Sequence, residues 1–387
     1  MLYKAPLFAA LIVISLSAGA ANSASGFSTD DKINLSNSPG PKSGKDIVAS
    51  GGDVYATWFE RDTGEIMIKK ITRNEVADIA APESGSNPRL AADGKRVFLF
   101  YDGTDGKTHF KVINAGRHFG DEAAMGVTAG ASIAIQDGIM YAVYPVGEGK
   151  MQFAKSTDVG RTFRNVTVIE DSDIEVHYPD VKYSGGQRIL VDGKNVYLLW
   201  VEGAYPPSIC DCPYLYRYQH VLFAKSGDGG ATFGPTVILS QGIGGYFGDP
   251  QISAYRNHVY AVWHVERGLP YFTLNTYTAV SDDRGDSFSV IREAEGNQSF
   301  DSDVAASRTG AYLVLANYTS GNTEILARDK NGIEFEKAAT AGTANWTNDP
   351  QIAVERRHVY VLWEEGDDGS GYANDVFFRS YKLRDLG

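Results

Sequence analysis

The chain has 387 residues, among them 42 glycines, 22 tyrosines and 18 phenylalanines, and a formal net charge of -12. This turn-rich, aromatic composition without long helical periodicity favours an all-β fold. The negative charge and the lack of a basic stripe exclude nucleic acid and anionic membrane surfaces as principal partners, because both need a basic footprint.

The N-terminus has the pattern of a secretion signal. Lys4 precedes an apolar stretch over residues 7–20, and small residues follow it. The stretch is shorter than the roughly 20 residues that a membrane span needs. We therefore predict a signal peptide over residues 1–23 and a single domain over residues 26–387. The mature protein is predicted to be secreted or periplasmic and monomeric, without a transmembrane span.

A β-strand pattern recurs seven times in the remaining chain. Its copies are rich in β-branched and aromatic residues and have an aromatic residue at the second position: 54–58 (VYATW), 97–101 (VFLFY), 140–144 (MYAVY), 196–200 (VYLLW), 259–263 (VYAVW), 311–315 (AYLVL) and 359–363 (VYVLW). A shorter apolar strand precedes each copy and a third strand follows it. The sequence therefore predicts seven four-stranded antiparallel blades, which together form a seven-bladed β-propeller.

The two ends of the chain predict how the ring closes. The seventh repeat stops after its third strand, near Tyr381, whereas 32–36 (KINLS) reads as a strand without a repeat of its own. We predict that this N-terminal strand completes the last blade by pairing with the strand around Phe377. Such pairing removes an exposed sheet edge.

Three hairpin turns share one eight-residue phrase: 156–163 (STDVGRTF), 226–233 (SGDGGATF) and 281–288 (SDDRGDSF). In each, the aspartate (Asp158, Asp228 or Asp283) can accept backbone N–H groups, the glycine allows a positive φ, and the phenylalanine can fold into the core. The phrase resembles the Asp-box of the sialidase-like, or BNR-repeat, β-propeller superfamily. That resemblance implies a blade-folding role, so the three aspartates are predicted to be structural and remote from any ligand.

The resemblance does not extend to the sialidase catalytic motif. Sialidases carry an Arg-Ile-Pro-type motif ahead of the first Asp-box, whereas here 87–90 (NPRL) has the residues in another order. No tyrosine–glutamate pair stands in a recognisable family context. The sialidase propeller also has six blades rather than seven. The sequence is therefore similar to the superfamily in architecture, without its catalytic motif.

Long connections should meet on the face opposite the shared turns, and long loops on a rigid scaffold often carry function. They cover 171–187, 203–219, 242–249 and 264–275. The candidate ligand-binding residues on this face are His177, Tyr178, Arg188, Tyr246, His264, Glu266, Arg267 and Trp346. The residues expected to ring the channel mouth are Asp46, Arg89, Ser132, Arg188, Gln251, Asp303 and Gln351. Of these, Arg89 and Arg188 could clamp a carboxylate.

Cys210 and Cys212 are the only cysteines. In an exported protein this pair predicts a disulfide, here a strained one across a single residue. The alternatives are soft-metal binding by both thiolates and bridges to another chain. Because no Cys/His cluster lies nearby, we predict neither a metal site nor a cofactor.

The sequence leaves three functions open. The first is a binding module for a glycan or protein ligand, which the aromatic residues of the long loops favour. The second is a carbohydrate-active enzyme on the same face. A hydrolase would need facing carboxylates from Glu202, Asp249, Glu266, Asp303 and Asp349. A polysaccharide lyase would need His177, Tyr178, His264 and Arg188. The third is a metal-dependent structural or redox role for 210–212 or 364–368.

Overall fold

The computed structural model describes residues 31–38, 40–82, 84–114, 118–119, 123–147, 150–169, 181–205, 217–267, 273–294, 301–332, 334–344, 346–366 and 374–386. The predicted signal peptide lies outside these residues and stays a prediction. No helix in the described ranges is long and apolar enough to cross a membrane.

The described chain folds almost entirely into β-strands, grouped in chain order into blades. After β1 (Ile33–Asn34), the first blade contains β2 (Lys42–Ser50), β3 (Asp53–Glu60), β4 (Glu65–Ile71) and β5 (Val76–Asp78). The second contains β6 (Ser86–Asp93), β7 (Arg96–Asp102), β8 (Lys107–Asn114), the short β9 (His118–Phe119) and β10 (Ala123–Thr128). The third contains β11 (Ser132–Gln136), β12 (Ile139–Gly147), β13 (Lys150–Ser156) and β14 (Arg164–Ile169).

The remaining blades repeat this order. The fourth contains β15 (Val181–Asp192), β16 (Asn195–Tyr205), β17 (Arg217–Ser226) and β18 (Val237–Ile238), and the fifth β19 (Tyr246–Tyr255), β20 (His258–Arg267), β21 (Thr273–Ser281) and β22 (Ser289–Ala294). The sixth contains β23 (Ser302–Ala306), β24 (Gly310–Asn317), β25 (Asn322–Asp329) and β26 (Glu336–Thr343). The seventh contains β27 (Trp346–Glu355), β28 (His358–Gly366) and β29 (Asp375–Lys382), and a 3-10 helix follows at Leu383–Asp385.

The blades form a closed ring. The first strand of each blade lies innermost and contacts the first strand of the next blade around the channel: β2, β6, β11, β15, β19, β23, β27 and β2 again. Within a blade the strands pair antiparallel in sequence order, except that β9 and β10 both pair with β8 in the second blade and β1 adds to β29 in the last. The prediction of a seven-bladed β-propeller is therefore confirmed.

The N-terminal strand closes the ring as predicted. β1 pairs with β29, with Ile33 opposite Phe378 and Asn34 opposite Phe377. The Lys42 ammonium, whose side chain is inaccessible to solvent, strengthens this closure. It donates to the carbonyl oxygens of Ser38 at 2.6 Å, Gly40 at 3.1 Å and Asn374 at 2.8 Å. One buried cation thus ties the N-terminal segment to the last blade.

The core lies between blades. Four tryptophans at one register of the second strands are fully buried: Trp58, Trp200, Trp263 and Trp363. Two of them donate their indole N–H to a glutamate two residues later, Trp58 to Glu60 at 2.7 Å and Trp363 to Glu365 at 2.9 Å. The alternation of the second strand places its aromatic residues between sheets, so they pack the blades together rather than line a ligand site.

The three shared turns have one geometry, shown by the middle copy. Asp228 accepts from the Thr232 N–H at 2.9 Å and from the Thr232 hydroxyl at 2.6 Å. Ser226 Oγ accepts from the Gly230 N–H at 2.8 Å, and Gly230 has a φ of 85°. The hydrogen bonds from the threonine, ahead of those from the serine, lower the pKa of the aspartate. Each turn therefore holds a carboxylate by local donors alone.

Candidate functional site: the channel mouth

A polar cavity of about 630 Å³ opens where the innermost strands begin, on the face of the long connections. The residues that line it include six of the seven predicted ring positions: Asp46, Arg89, Ser132, Arg188, Gln251 and Gln351. The seventh, Asp303, follows the lining residue Ser302 and is close enough to Asp46 and Arg188 to feel their charges. The structure thus brings the predicted ring together.

β-Bulges shape this cavity. In five blades the register of the innermost strand shifts just before the ring residue, between 43 and 46, 86 and 89, 185 and 188, 248 and 251, and 348 and 351. Four bulge residues have a positive φ: Gly44 at 59°, Asn87 at 51°, Gly186 at 60° and Asp349 at 43°. Bulges commonly re-aim side chains at barrel rims and functional sites.

The glycines in these bulges also allow neighbouring blades to approach. A Cβ on Gly44 would lie 3.0 Å from Cδ of Pro88, and one on Gly186 would lie 3.0 Å from Cδ of Pro250. The residue types Gly, Asn and Asp two positions before the ring residues are the sequence signal for these bulges. Strand periodicity alone does not reveal this signal.

Three ring residues also fasten one blade to the next. Each accepts a hydrogen bond from the backbone N–H that follows the ring residue of the next blade: Asp46 from Leu90 at 2.6 Å, Ser132 from Ile189 at 3.2 Å and Asp303 from Ile352 at 2.9 Å. The second oxygen of each aspartate accepts from the next residue of its own strand, Ile47 or Val304, at 2.8 Å. Each oxygen of these two carboxyl groups therefore accepts one backbone hydrogen bond.

Burial changes the acidity of these two carboxyl groups. It raises the pKa of Asp46 to about 6, although the backbone donors and the Arg188 charge act in the opposite direction. Burial raises the pKa of Asp303 to about 7, and the charge of Asp46 adds to this rise. The cause is the loss of hydration of the ionised form in the narrow channel.

Two arginines reach the same cavity in fixed positions. Arg89 forms an ion pair with Asp102, with Nη2 2.7 Å from Oδ1. Arg188 donates from Nε to Gln251 Oε1 at 2.7 Å and from Nη1 to the carbonyl oxygen of Gln187 at 3.0 Å. Because Asp102 of the same blade holds Arg89 and Gln251 of the next blade holds Arg188, the cavity presents two oriented guanidinium groups.

Acidic groups at the junction of the last and first blades surround a buried lysine. Lys45 lies 2.7 Å from Asp349 Oδ2 and also pairs with Glu364. Burial favours the neutral amine, but the charges of Asp349 and Glu364 outweigh it and raise the pKa of Lys45. Nearby, Tyr318 donates to Asn348 Oδ1 at 2.9 Å, and its ring centroid lies 6.5 Å from that of Trp346. The sequence analysis had not singled out Lys45 or Tyr318.

The candidates on the fifth blade lie in two environments. Tyr246 is 40% exposed and stands opposite Glu266 at the start of the innermost strand. His264 is only 6% exposed and stands opposite Gly248. A Cβ on Gly248 would lie 2.3 Å from His264 Nε2, so the imidazole occupies the space that the glycine leaves. The structure thus places His264 in the packing of the blade, outside the lining of the cavity.

Several predicted residues lie beyond what the structure describes. These are His177, Tyr178, Cys210 and Cys212, together with the side chain of Arg267. Their predicted roles, including the disulfide, stay predictions. The described candidates that meet at or near the cavity are Arg188, on its wall, and Trp346, beside Tyr318.

Comparison with known proteins agrees with the fold. No family model matches the sequence, and no curated protein matches it. Among solved structures, a polysaccharide lyase described as an ulvan lyase aligns with a TM-score of 0.60 and 10% identity, over 92% of this chain and 99% of that chain. The α-L-arabinanase of Penicillium chrysogenum aligns with a TM-score of 0.51 and 13% identity, over 92% and 100%.

A solved protein of different chemistry aligns with a TM-score between these two values. The hydrazine synthase of Kuenenia stuttgartiensis gives a TM-score of 0.53 and 12% identity, over 90% of this chain and 97% of that chain. At such identities the likeness shows the propeller fold alone, since one fold hosts many functions. The function has to be argued from the channel mouth itself.

Proposed function

We propose that this protein is a binding module for an acidic glycan, and that the ligand enters the channel mouth on the face of the long connections. The observation that carries the proposal is the pair of oriented guanidinium groups, Arg89 and Arg188, in a polar cavity of about 630 Å³. Arginine binds carboxylates in a bidentate fashion, and the cavity has the volume typical of small-molecule sites. A uronate residue of a polysaccharide supplies both the carboxylate and the hydroxyl groups that such a lining would recognise.

The surroundings of the arginines suit the rest of a sugar. Three side-chain amides line the cavity and can hydrogen-bond to sugar hydroxyl groups: those of Asn87, Gln251 and Gln351. Tyr246 and Trp346 begin the innermost strands of the fifth and seventh blades, so their rings stand at the rim of the same face. Aromatic rings at such a rim can stack on the apolar face of a pyranose.

The carboxyl groups support binding rather than hydrolysis. A glycoside hydrolase needs one carboxylic acid that is free to protonate the leaving group and a second that acts as base or nucleophile. Asp46 and Asp303 use both oxygens for backbone N–H groups. Asp349 binds Lys45 and the Gln351 amide. These three side chains hold the blades and the bulge in place, so we assign them a structural role.

The alternative is a polysaccharide lyase at the same mouth. A lyase also needs a cation to neutralise the uronate before a base removes the neighbouring proton, and Arg188 supplies such a cation. Its base and acid would have to come from outside the described residues, where the sequence offers His177 and Tyr178. This alternative predicts turnover of the same acidic glycans.

The experiment compares acidic oligosaccharides with neutral ones of the same length by isothermal titration calorimetry. We expect a double variant, Arg89→Gln with Arg188→Gln, to lose binding of oligouronates while its melting temperature stays near that of the wild type. The matched control, Arg161→Gln with Arg284→Gln on the opposite face, should bind like the wild type. Unchanged affinity in the first variant would contradict the site, and release of unsaturated oligosaccharides would favour the lyase.

A further inference from the structure

A second cavity, of about 350 Å³, opens on the opposite face, between the last blade and the first. Its walls are apolar and come from both blades: Ile33, Val54, Ile71, Tyr360 and Phe378. Its rim carries the cationic side chains Arg73, Arg356 and Arg357, together with His358. The proposed glycan site makes no use of this cavity.

Other blade junctions show what normally fills this position. In the third blade, Phe153 is covered by Phe233 of the next blade, with ring centroids 5.0 Å apart and planes at 70°. In the fourth blade, Phe223 is covered by Phe288 of the next blade at 4.8 Å and 70°. Each covering ring comes from the turn between the third and fourth strands, and edge-to-face contact is a favourable arrangement of such rings.

The seventh blade has the same aromatic floor without the covering ring. Phe378 pairs with Leu362 as Phe223 pairs with Leu199, so the two phenylalanines occupy one register. The covering ring would have to come from the first blade, whose turn between its third and fourth strands is 72–75 (TRNE) and contains no aromatic residue. The cavity, called the socket below, therefore lies where two other junctions hold a phenyl ring.

The rim of the socket carries three guanidinium groups, and two carboxylates, those of Asp31 and Glu355, also line the cavity. Among the described residues, no hydrogen bond or ion pair engages the guanidinium groups of Arg73, Arg356 or Arg357. Burial lowers the pKa of His358, and the charges of Lys382 and Arg73 lower it further. This cluster of arginines without hydrogen-bond partners contrasts with the formal net charge of -12 of the whole chain.

The Glu355 carboxylate keeps its negative charge but is bound by backbone donors, and the three arginines exceed the two carboxylates of the cavity by one charge. Glu355 accepts from the backbone N–H groups of Gly51 at 2.8 Å and Gly52 at 2.9 Å, which fastens the last blade to the first. Its two oxygens are thereby committed to a structural contact. An anion that enters the socket would meet guanidinium groups on an apolar floor, where their attraction is stronger than in water.

We propose that the socket binds a small arylalkanoate, a phenyl ring on a short chain that ends in a carboxylate. The ring would occupy the position that Phe233 and Phe288 fill at other junctions, on Tyr360 and Phe378. The carboxylate would reach Arg73 and Arg356 at the rim. The cavity volume lies within the range of small-ligand sites. This site is independent of the glycan site, because it lies at the other end of the channel strands.

The test titrates the full chain with phenylpropionate and follows binding by saturation-transfer NMR and calorimetry. We expect phenylpropanol, which lacks the charge, to bind at least tenfold more weakly. A double variant, Arg73→Gln with Arg356→Gln, should weaken phenylpropionate binding at least tenfold. The matched control, Arg161→Gln with Arg308→Gln, removes two arginines from turns on the same face and should bind as the wild type does.

A further variant tests the floor, Tyr360→Leu, and circular dichroism verifies that it is folded. We expect it to weaken phenylpropionate and phenylpropanol alike. The proposal is overturned if the wild type does not bind phenylpropionate, or if the arginine variant binds it unchanged. It is also overturned if binding appears only after the residues before Asp31 are deleted. In that case the socket belongs to the chain's own N-terminal segment, which carries Phe27.

Discussion

Replacing Asp303 tests the link between blade closure and pH. Asp303 accepts the Ile352 N–H at 2.9 Å, and Ser132 fills the same role in the third blade, accepting the Ile189 N–H at 3.2 Å. Asp303→Ser should therefore keep the link between blades, whereas Asp303→Ala leaves a buried N–H group without an acceptor. That loss costs about 1–3 kcal/mol of unfolding free energy.

The same two variants separate the effect of the hydrogen bond between blades from the effect of the Asp303 carboxyl charge. Burial raises the pKa of Asp303 from its usual 3.8 to about 7. Below pH 3.8 both the folded and the unfolded chain hold the proton, and the contribution of the group to stability is complete. As the pH rises to 7, only the folded chain keeps the proton, so this contribution is progressively lost. A pKa raised by about 3 corresponds to about 4 kcal/mol of unfolding free energy.

The assay is urea unfolding at intervals from pH 4 to pH 8, followed by tryptophan fluorescence. The unfolding free energy of the wild type minus that of Asp303→Ser should fall by about 4 kcal/mol over this interval. Asp62→Ser, at an exposed turn, serves as the control for replacing a surface aspartate. Parallel pH curves for the wild type and Asp303→Ser would refute the assignment of a buried, protonated carboxyl group to the channel.

Three further predictions concern the scaffold. Asp228→Ala removes the acceptor of a shared turn, so we expect a lower melting temperature and unchanged glycan affinity; a folded variant that no longer binds would contradict its structural role. Deleting residues 31–38 exposes the edge of the last blade and should lower the melting temperature strongly, and unchanged melting would disprove the closure. Gly248→Ala should be destabilising because its Cβ would displace the His264 ring, whereas Gly244→Ala meets no atom within 4 Å and should melt like the wild type.

The fold could be read from the sequence because each blade repeats a strong local signal. Each second strand is a run of apolar and aromatic residues that are nearly all buried, and this pattern needs no knowledge of the other blades. The unpaired strand 32–36 at one end and the incomplete repeat at the other then indicate closure. The ring of channel residues followed from the same register, which is why Arg89 and Arg188 could be placed together.

The details of the site depend on contacts between blades, which a single repeat does not encode. The orientation of His264 is decided by the missing side chain of Gly248, on another strand. The pairing of Lys45 with Glu364 joins residues 319 positions apart. The missing covering ring of the socket is recognised only when the turn 72–75 is compared with the turns that supply a phenylalanine at other junctions. Long-range packing of this kind lies outside periodicity and motif spacing.

The central claim is that the channel mouth binds acidic glycans without altering them. The most direct measurement applies the purified chain to an array of uronate-containing glycans and their carboxyl-reduced, neutral counterparts, and then analyses the bound glycans for cleavage. We predict retention of the acidic members, loss of retention on carboxyl reduction, and recovery of intact glycans. Equal retention of acidic and reduced members, or recovery of cleaved chains, would contradict the account.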